Sequence, residues 1–75
     1  MSVGQKQHCN VQFGKRVAVL RKERHLSQEQ LALASEINRT YMGAIERGEK
    51  SPSLNVIVRI AAALSLSLTE LFNYA

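Results

Sequence analysis

The stretch LSQEQLALASEINRTYMGAIERG, residues 26–48, has the pattern of two short helices joined by a tight turn. Ser27 is a residue type that caps helix N-termini, and Gln30, three positions later, completes a capping box. The helical pattern breaks after about two turns and restarts at Asn38, a second N-cap candidate. Gly48 then ends the second helix as a C′ glycine. The stretch therefore predicts a helix-turn-helix motif, whose second helix can enter the major groove of DNA.

The residues in and after this motif are similar to those of a known family. LSQEQLA, INRTYMGAIERG and SPSL resemble the XRE-type helix-turn-helix domain of the lambda-repressor and Cro superfamily, and RTYMGAIERG most resembles the controller proteins of restriction–modification systems. The resemblance covers about residues 13–72. It implies an all-α, five-helix, lambda-repressor-like DNA-binding domain with the helix-turn-helix in helices 2 and 3. Glu36 departs from the family, which commonly has glycine at this position because the turn often needs a positive φ. A residue other than glycine in that conformation costs about 1 kcal/mol.

Two small residues, Ala32 and Gly43, lie where the two helices of the motif are expected to cross closely. Before the motif, helical spacing predicts a first helix over residues 10–24 with an N-cap at Asn10. Residues 1–9 are polar and aperiodic, which predicts a disordered arm before a helix-turn-helix domain of residues 10–75. The core face of the first helix is predicted to contain Phe13, Val17 and Leu20, and its solvent face Lys15, Arg16, Lys22 and Arg24.

Two more helices are predicted after the motif. Pro52 cannot continue a helix, so a fourth helix begins at or near Ser53. Ser67 and Glu70 form a second capping box, which begins a short fifth helix. The apolar face of the fourth helix is predicted to be Leu54, Ile57, Ile60, Ala61 and Leu64.

Composition limits the class of protein. The chain has 75 residues, which allow one domain, and its net charge of +4 fits an anionic partner. Cys9 is the only cysteine, so no intramolecular disulfide is possible and a cytoplasmic location is expected. No apolar run approaches the roughly 20 residues that cross a membrane. His8, Cys9 and His25 lack zinc-ligand spacing, so no metal or other cofactor is predicted.

The first residues of the second motif helix face base edges if this helix lies in a major groove. Arg39 is the strongest candidate, because a guanidinium can donate two parallel hydrogen bonds to guanine, worth about 1–3 kcal/mol of discrimination. The alternative is an ordinary exposed arginine. Thr40 can hydrogen-bond a base or place its methyl group against thymine. Tyr41 is predicted to bond a phosphate or approach the central bases, and Ala44 to lie at the bases because it is small and apolar.

Phosphate contacts fix the register of a protein on DNA without reading its sequence. Gln28 begins the first motif helix, and the resemblance implies that a glutamine at this position contacts a phosphate. Further candidates, which match family positions on or just after the recognition helix, are Asn38, Arg47, Lys50 and Ser51. Three carboxylates are not expected to contact DNA: Glu29, Glu46 and Glu49.

The resemblance also implies one structural contact. In the family, an arginine at the position of Arg21 pairs with an acidic residue near the end of the recognition helix, which is Glu46 here. The alternative for Arg21 is a solvated surface charge. If the pair is partly buried, losing one partner costs more than the 0–1 kcal/mol or so that is typical of an exposed ion pair.

An apolar surplus lies at the end of the chain, which predicts a symmetric homodimer through the fifth helix and the loop before it. An exposed leucine or two without a partner is the alternative. Leu71 and Phe72 are also the expected core contacts of this helix. The predicted interface consists of Leu66, Leu68, Leu71, Phe72 and Tyr74.

These features favour a sequence-specific transcription regulator that binds double-stranded DNA as a homodimer. Its operator would be a near-palindrome with half-sites one helical turn apart. The resemblance suggests a restriction–modification controller that regulates its own promoter, with RNA polymerase as a possible partner. A phage-type repressor and the antitoxin of a toxin–antitoxin pair are the alternatives within this class, and a helical protein-interaction module is the alternative outside it. No catalytic constellation or small-molecule site is evident, so an enzyme is not predicted.

Overall fold

Five α-helices form the part of the chain that the computed structural model describes, which is the backbone of residues 3–74 and the side chains of residues 8–74. The helices are, in chain order, α1 (Val3–Glu23), α2 (Gln28–Ala34), α3 (Arg39–Glu46), α4 (Leu54–Ala63) and α5 (Leu68–Leu71). Residues 3–74 contain no β-strand. The predicted all-α fold is confirmed, with α2 and α3 as the two helices of the motif.

The first helix begins at Val3, earlier than the predicted start at Asn10. The residues between Val3 and Asn10 include glutamine and lysine, which are good helix formers, and no proline interrupts them. A polar, aperiodic segment can therefore still be helical. The predicted arm over residues 1–9 is helical in its backbone from Val3 onward, whereas Met1 and Ser2 lie outside the described residues.

Side-chain caps determine where the later helices begin. Both predicted capping boxes are present. The Ser27 hydroxyl accepts from the Gln30 amide at 3.0 Å, and the Ser67 hydroxyl accepts from the Glu70 amide at 3.1 Å. In turn, the side-chain Oε1 atoms of Gln30 and Glu70 accept hydrogen bonds from the amides of Ser27 and Ser67, at 2.8 and 2.9 Å. The complete set of caps for α2 to α5 is Ser27, Asn38, Ser53 and Ser67.

The first four helices end in the same kind of turn. In each, a residue with positive φ is followed by a residue whose amide donates to a carbonyl five positions back. The positive-φ residues are His25 (56°), Glu36 (59°), Gly48 (77°) and Ser65 (59°). The side chains of the three non-glycine residues cost about 1–2 kcal/mol each in this conformation. Glu36 therefore keeps the turn that glycine usually makes, and three of the turns are followed by an apolar residue packed on the core: Leu26, Ile37 and Leu66.

The core forms where α1 to α5 meet. Its buried apolar residues are Phe13, Val17, Leu20, Leu31, Ala32, Met42, Ile45, Val56, Ile60, Ala61, Leu64 and Leu71. Leu54 is exposed, which corrects its predicted place on the core face of α4. Val56 is buried instead, because the inward stripe of α4 runs along positions 56, 60, 61 and 64, with Ile57 partly buried beside it.

A close backbone approach between helices lies at Gly14, where α1 passes the C-terminal end of α3. A Cβ atom added to Gly14 would lie 2.3 Å from the Ile45 carbonyl oxygen and 2.6 Å from that of Glu46. At Gly43, an added Cβ would instead meet the ends of two flexible side chains, those of Arg47 and Gln28, at 3.0 and 3.4 Å. The absence of a side chain is therefore required at the α1–α3 contact, whereas at Gly43 the small residue leaves room for the side chains of Gln28, from α2, and Arg47.

Candidate nucleic-acid interface

The N-terminal turn of α3 presents polar side chains to solvent. Arg39 and Thr40 are both exposed. Asn38 fixes the start of the helix, since its Oδ1 atom accepts a hydrogen bond from the Tyr41 amide at 2.7 Å. Among the side chains of residues 8–74, Arg39 forms no ion pair. The guanidinium of Arg39 is therefore available to an anionic or hydrogen-bonding partner.

Two other predicted base contacts lie deeper in the protein. Tyr41 is half-buried and packs against the core. Ala44 is only 7% exposed, so its methyl group has almost no surface to offer a base. The predicted role of Ala44 at the bases is therefore revised: its small side chain belongs to the packing of α3.

A hydrogen-bonded network behind α3 joins three helices. Glu46 Oε2 accepts from Arg21 Nε at 2.8 Å, and Glu46 Oε1 accepts from Arg21 Nη2 and from Gln28 Nε2, each at 3.0 Å. Arg21 Nη1 also donates to the Leu26 carbonyl at 2.9 Å. The side chains of Arg21 and Glu46 are 11% and 5% exposed. The contact expected between Arg21 and Glu46 is present, and it ties α3 to α1 and α2.

This network also involves a predicted phosphate contact. One donor of the Gln28 side chain is used by Glu46, and a primary amide has two. Gln28 can therefore hold α3 and retain one N–H for another acceptor. The contact between Gln28 and Glu46 was not expected from the sequence, because a glutamine at the start of a helix does not indicate a hydrogen-bond partner 18 residues away.

A second arginine–glutamate pair lies at the end of α3, on the surface. Arg47 Nε donates to Glu49 Oε2 at 2.7 Å, and Arg47 Nη2 donates to Glu49 Oε1 at 3.0 Å. This hydrogen bond, followed by the charge of Arg47, lowers the pKa of Glu49, and the same bond with the charge of Glu49 raises the pKa of Arg47. Lys50 and Ser51, the next candidate phosphate contacts, are exposed.

Two arginines, one in α1 and one just after it, already use their guanidinium groups in hydrogen bonds within the protein. Arg16 donates to the carbonyls of Leu71 at 3.1 Å and Glu70 at 2.8 Å, at the end of α5. Arg24 donates to the Leu64 carbonyl at 3.0 Å, at the end of α4. Both arginines are half-buried, so they are less exposed than their predicted place on the solvent face of the first helix implies. Their guanidinium groups satisfy carbonyls at helix C-termini, where a positive charge is favourable.

The predicted dimer residues separate into two groups. Leu68 and Phe72 are exposed, at 41% and 43%, and Phe72 stacks on Phe13 with ring centroids 5.4 Å apart. Tyr74 and Leu66 are half-buried. Leu71 is fully buried within the monomer, so its assignment to an interface is corrected: it anchors α5 to the core. Four further large apolar side chains are exposed and were not among the predicted interface residues: Val19, Leu33, Leu54 and Val58.

The described residues contain no group of three or more histidine, cysteine, aspartate or glutamate side chains placed to hold a metal ion. None of the described helices is both long and apolar enough to span a membrane. A shallow groove of about 270 Å³ beside Phe72 has Cys9, Phe13 and Tyr74 in its lining.

Comparison with known proteins agrees with the geometry of α2 and α3. The helix-turn-helix family profile matches residues 17–71, most of the chain. This chain belongs to the helix-turn-helix family. The control protein C.MunI of a Mycoplasma species is 41% identical to this helix-turn-helix protein over 64 residues, which are 84% of the chain and 86% of that relative.

A solved structure and a phage protein extend the comparison. The crystal structure of the restriction–modification controller protein C.AhdI from Aeromonas hydrophila has a TM-score of 0.84 and 43% identity, covering 87% of this chain and 98% of that one. The immunity repressor protein of Bacillus phage phi105 is 38% identical over 58 residues, which are 77% of this chain and 40% of the repressor. The predicted membership of the XRE-type family and the likeness to controller proteins are therefore confirmed.

Proposed function

We propose that this helix-turn-helix protein is a sequence-specific regulator of transcription of the restriction–modification controller type, acting in the cytoplasm as a homodimer. The observation that carries the proposal is the exposed N-terminal turn of α3, with Arg39 and Thr40 on a helix held rigidly from behind by Arg21 and Glu46. Rigid support matters because base readout depends on hydrogen-bond geometry at base edges.

In the proposed complex, α3 lies in the major groove. Arg39 donates two hydrogen bonds to a guanine, and Thr40 contacts a neighbouring base through its hydroxyl or methyl group. Tyr41, which is half-buried, contacts a phosphate or approaches the central bases of the operator through the part of its side chain that remains exposed. Phosphates on either side are contacted by the residues that surround α3: Gln28, Asn38, Arg47, Lys50 and Ser51.

The second half of the proposal is a symmetric dimer through α5. Leu68 and Phe72 expose apolar surface one helical turn apart, and Leu66 precedes them in the loop. A two-fold dimer places its recognition helices about 34 Å apart, so the operator is a near-palindrome. Control of the protein's own promoter, with or without contact to RNA polymerase, would then depend on protein concentration.

A salt titration of binding to the DNA upstream of the protein's own gene tests base readout. We expect Arg39→Ala to weaken binding to that DNA by about 5- to 150-fold, corresponding to about 1–3 kcal/mol, and to keep most of the salt slope. Arg59→Ala is the matched control, because Arg59 is an exposed arginine on α4 and its loss changes the net charge equally. Equal effects of the two substitutions, or equal wild-type affinity for upstream and random duplexes, would contradict the proposal.

Sedimentation velocity tests the dimer separately. We expect Leu68→Glu to convert the dimer to monomer, because a carboxylate in the centre of an apolar interface is desolvated. Leu33→Glu is the control, since Leu33 is 80% exposed on α2 and lies outside the proposed interface. A wild-type protein that sediments as a monomer at micromolar concentration, or a Leu33→Glu variant that dissociates as fully as Leu68→Glu, would argue against an α5 interface.

If the neighbouring genes belong to a phage immunity region, the phage-type repressor replaces the controller as the proposed function. If a toxin gene is the neighbour, the antitoxin replaces it. The DNA-binding chemistry of α3 would be unchanged in either case. A helical protein-interaction module remains the alternative outside the class, and salt-sensitive binding to DNA distinguishes the two.

A further inference from the structure

The exposed pair between Arg47 and Glu49 uses both oxygens of the carboxylate. Its two hydrogen bonds, at 2.7 and 3.0 Å, form the parallel arrangement by which a guanidinium also binds a phosphate. Arg47 is the C-cap of α3, and Glu49 follows two residues later, immediately after Gly48. A residue proposed to bind DNA phosphate is thus already bound to an anion supplied by its own chain.

The position of Arg47 connects this pair to the surface that carries Arg39. Residues 39, 43 and 47 are spaced four apart and share one face of α3. Arg47 Nη1 lies over Gly43, at 3.0 Å from the place of a Cβ atom, and the Gln28 side chain lies over the same residue at 3.4 Å. The pair is therefore part of the face that the proposed function places against DNA.

We propose that Glu49 competes with the DNA backbone for Arg47 and so lowers the affinity of the protein for every DNA sequence. This inference rests on the proposed function and adds a regulating residue to it. When a phosphate takes the place of Glu49, one bidentate anion replaces another, so the net gain from Arg47 is small. The displaced carboxylate stays two residues away, within a Debye length of about 8 Å, and repels the phosphate.

This competition acts on affinity and leaves base discrimination unchanged. Glu49 is an acidic side chain beside the backbone contacts, whereas Arg39 and Thr40 lie at the other end of α3. Its effect should therefore be the same on an operator and on a random duplex. Reduced affinity for all DNA keeps the occupancy of the operator dependent on protein concentration, which is the variable that the proposed regulator uses.

The test is a two-by-two set: wild type, Glu49→Gln, Arg47→Ala and the double variant. Each is titrated with salt on the upstream duplex and on a random duplex. We expect Glu49→Gln to bind both duplexes about fivefold more tightly at 0.1 M salt or so, with the slope of log K against log salt steeper by about 0.9, because one more phosphate contact is formed. In the Arg47→Ala background, most of this gain should disappear.

Glu23→Gln is the matched control, because it removes the same charge from an exposed glutamate of α1 whose contact with Arg24 is long, at 3.8 Å. The proposal is overturned if Glu49→Gln gains no more affinity than Glu23→Gln. It is also overturned if the full gain persists without Arg47, since Glu49 would then act only by repelling DNA directly and not by competing for Arg47.

Failure of the regulator proposal would look different. A wild type that binds both duplexes alike contradicts sequence-specific regulation, whereas the Glu49 comparison on the random duplex still gives its answer. Absence of binding to either duplex, by wild type and by Glu49→Gln, contradicts both.

Discussion

The adjacent residues Glu46 and Arg47 each belong to an arginine–glutamate pair, and the two pairs lie in different surroundings. Arg21 and Glu46 are 11% and 5% exposed and share further bonds with Gln28 and Leu26. Arg47 and Glu49 are 57% and 56% exposed. The distances are nearly the same, 2.8 Å between Arg21 Nε and Glu46 Oε2 and 2.7 Å between Arg47 Nε and Glu49 Oε2.

Equal geometry therefore does not mean an equal role. In the buried pair, water cannot replace a lost partner, so the pair determines where α3 lies relative to α1 and α2. In the exposed pair, solvent screens both charges and either partner can be exchanged for another ion. The buried pair is suited to hold the recognition helix, and the exposed pair is suited to regulate what that helix binds.

Removal of the buried carboxylate tests this difference most severely. We expect Glu46→Ala to lower the free energy of unfolding by about 3–5 kcal/mol, because Arg21 is left as an uncompensated, largely buried charge. Urea denaturation measures the loss. Glu29→Ala is the control: Glu29 is exposed on α2, and its removal should change the free energy by less than about 0.5 kcal/mol.

A double variant identifies the cause of that loss. If the cost arises from the unpaired charge, Arg21→Met together with Glu46→Met should regain part of the stability lost by Glu46→Ala. A loss of less than about 1 kcal/mol for Glu46→Ala would mean that the buried pair behaves like an exposed one, and the distinction between the two pairs would then fail.

The second largest effect is expected at the contact that brings Arg21 and Glu46 together. Gly14→Ala should lower the free energy of unfolding by about 1–3 kcal/mol, because the new Cβ meets the Ile45 and Glu46 carbonyls and α1 must move away from α3. Gly43→Ala is the matched control, also a glycine inside a helix. Its Cβ meets only flexible side-chain ends, so higher helix propensity should leave stability unchanged or raise it by up to about 1 kcal/mol.

Thermal unfolding followed by circular dichroism measures both glycine variants. For a domain of this size, 1 kcal/mol corresponds to about 4–8 °C in Tm. Equal Tm changes for the two variants would show that helix propensity rather than the α1–α3 approach controls the result.

The sequence predicts the parts of this fold that depend on local chemistry. The capping boxes at Ser27 and Ser67 and the cap at Asn38 are visible as residue types at fixed spacing, and all are present. Contacts that depend on how helices meet are not visible in this way. Arg16 and Arg24 resemble ordinary surface arginines in the sequence, yet each donates to carbonyls more than 35 residues away.

The candidate site divides along the same line. Arg39 and Thr40 are predicted base contacts because they begin the second motif helix, and the structure leaves both side chains exposed. Ala44 was placed on the same face by the same spacing, but burial in the bundle decides its role. The residues around Gly14 in the sequence do not indicate its close approach to α3. Apart from the charge of Glu49, the sequence does not indicate that Glu49 binds Arg47.

The smallest effect on stability is expected at the exposed pair. Glu49→Gln should leave Tm at pH 7 almost unchanged, because solvent screens both charges. The pKa of Glu49 is held below its ordinary value of 4.5, chiefly by its hydrogen bond to Arg47, so any stability from the pair is present above pH 4.5 and is lost as the pH falls through the lower, folded value. Wild type and variant should therefore differ slightly at pH 7 and converge in acid, as measured by Tm across this range. A large fall in Tm at pH 7 would make the exposed pair structural, and a change in DNA affinity could then be caused by unfolding rather than by release of Arg47.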